Sequence, residues 1–342
     1  VTSRGPSASV EPAPVLYYAL GGGLGHLTRS IAVLRQLARF GLRDCIALTN
    51  SPYRALYSAE GVLAASVSPE AGQPADALAE WVTGQIACWR PRLLVVDVFP
   101  RGLLGELPPV LARFRSPAVL VLRRLRESYA QECRLREFAA EHYDAILAVE
   151  GLPGAPWIGR SGAAQCVAPV LIRDADELLD RDEARRRLGA TEDGLLVVGV
   201  ESGPGKPTGA LHEVLLRAWE RLGRRFDLRL AGAAGAVDHY PLIELLPGVD
   251  LVVGAGGYNL VHECQAVGVP AVFVPQRRRY DEQFARVAGA SVARSPEQLE
   301  SILAAHVAAG PTERAVPHYA NGAASAARAL LELLAASDAS IC

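Results

Sequence analysis

Short apolar runs alternate with helix-length stretches along nearly the whole chain, and this alternation constrains the fold more than any other feature. Val15–Leu20, Cys45–Leu48, Val62–Val67, Leu93–Val98, Val119–Leu122 and Ala145–Val149 read as strands. Their near-continuous apolar character is that of strands buried on both faces. Between them, His26–Phe40, Pro52–Glu60, Ala75–Cys88 and Tyr129–His142 read as helices. In the first of these, Leu27, Ile31, Leu34 and Leu37 fall on one face. A stretch with four glycines and three prolines, Gly151–Pro169, has the chemistry of a linker. A second series follows, with strands at Leu195–Val200, Asp227–Leu230, Leu251–Val253 and Ala271–Val274. Its helices are Gly209–Leu222, Asn259–Val267, Gln298–His306 and Ala323–Leu334. The pattern predicts an α/β protein with two Rossmann-like domains, each built on a parallel sheet. The expected division is a disordered tail over 1–14, domains over 15–166 and 167–322, and a C-terminal helix and tail over 323–342.

Composition narrows the function classes. Half of the 342 residues are hydrophobic and the formal net charge is -2, so no basic field points to nucleic acid. The six cysteines are scattered and none forms a CxxC pair, so neither a zinc site nor a disulfide framework is expected. No signal-peptide core or bilayer-length apolar run is visible, which makes a cytoplasmic setting the expectation, with peripheral contact at the inner membrane face left open.

Two glycine-rich loops carry the chemistry. The first, Gly21-Gly22-Gly23-Leu24-Gly25-His26, leaves the first strand and delivers His26 to the first turn of a helix. An imidazole there can accept a proton from a hydroxyl near neutral pH. The loop is not a dinucleotide fingerprint, because GxGxxG would need glycine at His26 or Thr28. Asp97, at the end of a strand in VVDVFPRG, is a candidate to orient His26 or to bind an acceptor directly, or merely to cap a turn. Glu106 is a weaker candidate.

The second loop lies in Gly254–Gln283. An apolar strand ends in Gly256-Gly257, a helix starts near Asn259, and Gly268 and Pro270 stop it. Glycine allows close approach of a ligand to the backbone, and the helix start aims N–H groups at an anion. Glu263 lies about one turn beyond Asn259 and can accept hydrogen bonds from two hydroxyls. Asp281, Glu282 and Gln283 supply donors and acceptors suited to sugar hydroxyls.

This second segment resembles the donor-binding signature of the GT-B glycosyltransferases, most closely the MurG-like, family 28 branch. Gly256, Gly257, Asn259, Glu263, Gly268, Pro270, Asp281 and Gln283 fit its pattern. Leu260 stands where that pattern has Thr or Ser, and Ala255 where many members have His. The first loop is similar to the family's N-terminal GG-x-G-G-H loop, with Gly22, Gly23 and Gly25 on the acceptor side. The resemblance implies two domains facing a cleft that holds the ligand, with closure about residues near Val167–Leu171. It implies transfer of a sugar from a nucleotide diphosphate donor, UDP-linked, to a hydroxyl acceptor, by direct displacement with inversion and no metal or cofactor. It assigns His26 as base, Asp97 as its partner, Glu263 to the ribose, and Gly203 and Gly205 to a loop under the diphosphate. The acceptor, whether lipid, saccharide or small natural product, is not written in any motif. The opening GGGLGHLTRS is also similar to a nucleotide-sugar hydrolase, so a hydrolase or epimerase stands as an alternative, as does a non-catalytic nucleotide-binding protein.

Other motifs fail on spacing. Ser202–Lys206 is not a P-loop, since Val200 and Pro207 occupy required positions. His262-Glu263 is not the start of HExxH, because Ala266 replaces the second His. Asp174-Ala175-Asp176 reads as first-turn acids. Arg277–Arg279, Arg123-Arg124 and Arg185–Arg187 are expected to be solvated faces.

Overall fold

The structure is a computed structural model. It describes residues 15–21, 23–67, 74–152, 154–191, 194–201, 210–232, 237–311 and 319–339. The expected tail over 1–14 and the site residues Gly22, Gly203 and Gly205 lie outside the described residues. The chain divides into two compact units, one of residues 1–123, 127–170 and 322–342, the other of residues 124–126 and 171–321.

The first unit opens with β1 (Val15–Ala19), α1 (Leu24–Arg39), β2 (Cys45–Thr49), α2 (Ala55–Ala59) and β3 (Leu63–Ser66). It continues through α3 (Ala75–Trp89), β4 (Leu93–Asp97), α4 (Leu107–Leu111) and β5 (Ala118–Leu122). Then come α5 (Glu127–Glu132), α6 (Leu135–His142), β6 (Ala145–Ala148), β7 (Ile158–Gly159), β8 (Gly162–Ala163) and β9 (Gln165–Cys166). The sheet is seven-stranded in the order β3-β2-β1-β4-β5-β6-β9, and each of its pairings is parallel. All five residues of β1, β2, β4 and β5 are buried, as both-face coverage requires. On α1, Leu27, Ile31, Leu34 and Leu37 are all buried, and each contributes roughly 1.5–3 kcal/mol by leaving water.

Two expectations are corrected here. The single helix expected over Tyr129–His142 is two, α5 and α6, separated at Arg134, whose φ of 47° is left-handed and cannot continue a helix. Gly151–Pro169 is more than a linker. It forms the β7–β8 hairpin and then β9, the seventh strand of the sheet. Gly159 is tucked so tightly there that a β-carbon would stand 3.0 Å from the Tyr143 carbonyl oxygen.

The second unit contains α7 (Arg181–Leu188), β10 (Leu196–Glu201), α8 (Ala210–Arg221), β11 (Asp227–Gly232) and β12 (Leu251–Gly254). It ends with α9 (Tyr258–Val267), β13 (Ala271–Phe273), α10 (Gln283–Arg286), β14 (Ser291–Val292) and α11 (Pro296–Ala309). Its sheet is five-stranded, in the order β11-β10-β12-β13-β14, again parallel throughout. Val197, Leu215, Leu251, Val253 and Val272 form its core with Leu299 and Leu303 of α11. The last helix, α12 (Ala323–Ala339), belongs to the first unit, where it packs on α1 and Arg328 lies over the Phe40 ring.

Arg185 is a further correction. It is buried rather than solvated, and donates to Asp250 at 2.9 Å and to the carbonyls of Thr191 and Gly194 at 2.7 Å. Periodicity in a charge run cannot reveal that one of three arginines points inward. Asp174 forms a capping box with Glu177 over a short 3-10 turn, in keeping with first-turn acids.

Candidate functional site

In each sheet the strand order reverses at one point, between β1 and β4 in the first and between β10 and β12 in the second. Loops leaving the carboxyl ends of strands at such a point diverge and leave room for a ligand. The two glycine-rich loops identified in the sequence leave β1 and β12.

In the first unit, the chain leaves β1 at Leu20 and enters α1 with Gly23 as N-cap and no side-chain cap. His26 therefore sits in the first turn. Its Nδ1 is 2.6 Å from Asp97 Oδ2, at the end of the neighbouring β4. Arg29, one turn further along α1, grips the same carboxylate with both arms of its fork, Nε to Oδ1 at 3.0 Å and Nη2 to Oδ2 at 2.6 Å. Tyr17 of β1 donates its hydroxyl to Oδ1 at 3.5 Å. Asp97 is completely buried. A carboxylate has about four acceptor sites, and four donors already reach this one. Of the roles the sequence left open, these contacts match a carboxylate that orients His26.

The chain turns sharply after Asp97. Phe99 N–H donates to the Asp97 carbonyl at 2.9 Å across Val98, whose φ is 71°. A β-branched residue in that region is strained, and such strain clusters at functional sites. The turn brings the Phe99 ring onto His26, centroid to centroid 5.2 Å. On another side, Gly21 is pressed against the imidazole, and its N–H donates to the Asn50 side-chain oxygen at 2.8 Å.

Burial pushes the His26 imidazole below its ordinary value, against the opposing pull of Asp97. Burial alone would raise the Asp97 carboxyl, but the Arg29 guanidinium and the His26 hydrogen bond outweigh it and hold the group at about 2. The pair is therefore a neutral imidazole on an ionised carboxylate. With Nδ1–H donated to Asp97, Nε2 carries the free lone pair. Glu106 has a structural task instead. It accepts from Tyr18 and from the N–H groups of Leu103 and Leu104, closing the 102–106 loop.

In the second unit, Gly257 caps α9 and leaves open space where a side chain would be. Gly256 has no such room, since a β-carbon would stand 2.8 Å from Val287 Cγ1. Leu260 fills the space over Gly254 and packs with Val261, Phe273 and Val287, an apolar role that accounts for its place in the signature. Asn259 and Glu263 lie one turn apart on the same face of α9. The Asn259 side-chain oxygen is buried with no hydrogen-bond partner among the described residues. Glu263 is 8% exposed, and burial raises its carboxyl to about 7. No described residue hydrogen-bonds with it.

Asp281, Glu282 and Gln283 are held beside this helix. Arg286 bonds both Asp281, at 2.9 Å, and the Gly256 carbonyl, at 3.1 Å. Gln283 accepts from the Gln276 N–H at 2.9 Å and donates to Asp281 at 3.4 Å. Glu282 lies 4.0 Å from Arg126, and Asp281 makes an isolated antiparallel bridge to Leu125. Arg277, Arg278 and Arg279 are exposed, as a solvated face should be. Sequence reading brought together His26 with Asp97 and Asn259 with Glu263. It missed Arg29, Arg286 and Tyr17. A signal for Arg29 existed, because three residues beyond His26 on a helix is the same face. Among the described residues, no helix is long and apolar enough to cross a membrane.

Two parallel sheets, each with a glycine-rich loop at its reversal point, define the architecture of the GT-B fold, and this chain has it. The solved structures it is similar to include the glycotransferase of kitacinnamycin, at a TM-score of 0.59 and 16% identity, over 96% of this chain and 98% of that one. The MurG of Acinetobacter baumannii is similar at a TM-score of 0.56 and 14% identity, over 96% and 99% of the two chains. The spinosyn rhamnosyltransferase SpnG, in complex with thymidine diphosphate, has a TM-score of 0.53 and 18% identity, over 94% and 96%. At the sequence level, 147 residues are 29% identical to an uncharacterized glycosyltransferase of Methanopyrus kandleri, covering 39% of this chain and 42% of that protein. The chain thus spans less than half the length of the curated relative it matches. No family model matches it.

Proposed function

We propose that the protein is a glycosyltransferase that moves a sugar from a nucleotide diphosphate donor, UDP-linked, to a hydroxyl acceptor with inversion at the anomeric carbon. The observation that carries this reading is Glu263, a desolvated carboxyl with no hydrogen-bond partner among the described residues. A desolvated carboxyl without a hydrogen bond is costly. It is tolerated where a ligand supplies donors, and the two ribose hydroxyls of a nucleotide are such donors. Gly257 opens the same helix with no side-chain cap, and the N–H groups and positive dipole end of such a helix start suit a diphosphate. Asp281 and Glu282 would take the sugar hydroxyls, with Gln283 holding Asp281 in place.

In this reaction the acceptor hydroxyl attacks the anomeric carbon while His26 Nε2 takes its proton. The bond from that carbon to the diphosphate oxygen breaks, and the leaving charge is met by the N–H groups at the start of α9. Asp97 stabilises the imidazolium that forms. The reading assigns no cofactor or metal to any step. The acceptor belongs to the class of lipids, saccharides or small natural products carrying a free hydroxyl.

The test is calorimetry against UDP, thymidine diphosphate, ADP and GDP with the wild type and Glu263→Ala. Selective binding of UDP that weakens at least tenfold in the variant is the expected result. Absence of binding to every nucleotide by folded protein would overturn the reading. Release of nucleotide from UDP-sugar without added acceptor, as fast as with it, would replace transfer by hydrolysis.

A further inference from the structure

We propose that Arg29 is a positioning residue that, through Asp97, fixes which nitrogen of His26 is the base and keeps that base unprotonated. The proposal deepens the glycosyl-transfer reading and rests on it for the meaning of His26. Arg29 is among the largest fully buried side chains of the protein. Removing a guanidinium from water is expensive, and an apolar residue of similar volume would serve packing as well or better. Its fork engages both oxygens of one carboxylate, at 3.0 and 2.6 Å, which fixes the plane of that carboxylate as well as its charge. With the plane fixed, Oδ2 faces His26 Nδ1 at 2.6 Å. Only the Nδ1–H tautomer can donate to it, so the lone pair is left on Nε2.

The second consequence is electrostatic. Asp97 alone would favour imidazolium. The permanent positive charge of Arg29, sharing that carboxylate, opposes a second positive charge on His26. The other charged and titratable groups around the pair are Arg123, beyond β5, Tyr17 of β1 and Tyr57 of α2. Arg123 acts in the same direction as Arg29, and burial raises both phenols, keeping them neutral. Arg29 therefore lets the dyad remain a neutral base at a pH where an isolated Asp–His pair would already hold a proton.

The experiment follows the imidazole nitrogens of His26 by 15N NMR across pH in the wild type, Arg29→Met and Arg29→Lys, with the signal assigned by its loss in His26→Gln. In Arg29→Met the titration midpoint of His26 should rise by about one pH unit. In Arg29→Lys the charge is kept but the fork is lost, so the midpoint should stay near the wild type while both tautomers appear. An unmoved midpoint in folded Arg29→Met overturns the proposal. Should that variant not fold, the lysine variant decides, because a wild-type tautomer there overturns it as well. The readout needs no substrate. Failure of nucleotide binding would remove the transferase reading and leave these shifts intact, whereas normal binding with unmoved shifts would remove only the role of Arg29.

Discussion

Gly21 and His26 are in such close contact that a β-carbon at Gly21 would stand 2.1 Å from His26 Cδ2 and 2.3 Å from Nε2. The glycine is thus required by the imidazole and not only by the turn. Gly21→Ala should displace the ring and abolish the proposed sugar transfer. At Gly25, where the nearest atom to such a carbon is 3.9 Å away, Gly25→Ala should keep activity and gain up to about 1 kcal/mol from helix propensity. Comparing turnover and melting temperature of the two variants checks the contrast.

His26→Ala removes the proposed base but nothing from the second unit. Transfer should fall by about 10²–10⁴-fold. The nucleotide dissociation constant measured by calorimetry should stay within about twofold of wild type, and a parallel loss of binding would contradict the assignment.

Glu263 predicts a pH-dependent stability. Its folded value of about 7 lies above the roughly 4.3 of an exposed glutamate. Between those values the folded protein holds a proton that the unfolded chain has lost. The stabilisation this gives, relative to the ionised state, is complete below the unfolded value and is lost as pH rises through 7. Glu263→Gln should therefore match the wild type near pH 4 and exceed it by about 3 kcal/mol at pH 8 in urea denaturation. Hydroxyl donors favour the ionised carboxyl, so nucleotide binding near pH 6 should release a proton. Calorimetry in two buffers of different ionisation enthalpy measures it.

Asp97 has the opposite sign. Its folded value of about 2 lies below the unfolded one, so its contribution is present above roughly pH 4 and lost as pH falls through 2. Asp97→Asn leaves the Arg29 guanidinium buried without its counter-ion, and should cost about 3–5 kcal/mol at pH 7 by chemical denaturation. An unchanged midpoint would mean that the fork holds little of the fold together.

The strands and helices were largely legible because both-face burial leaves an apolar run and one-face burial leaves a 3.6-residue period. Leu27, Ile31, Leu34 and Leu37 show this on α1, and all four are buried. The break between α5 and α6 was not legible, since nothing in Cys133-Arg134 forbids a helix. Only the folded backbone shows Arg134 in the left-handed region. Strand β9 was hidden for a related reason. Two residues paired at a sheet edge are too few to carry a period.

For the site, the sequence by itself determined the two glycine loops, the place of His26 in a first helical turn, and the one-turn spacing of Asn259 and Glu263, because each is a local relation along the chain. What only the tertiary structure decided is how 26, 29 and 97 meet on one carboxylate. Asp97 lies 71 residues from His26 and 68 from Arg29, and they meet because β1 pairs with β4 across the reversal of the sheet. Burial then holds His26 neutral and raises Glu263, while the Arg29 guanidinium and the His26 hydrogen bond keep Asp97 ionised against burial. Those values depend on the water that packing excludes, and no spacing along a sequence records that.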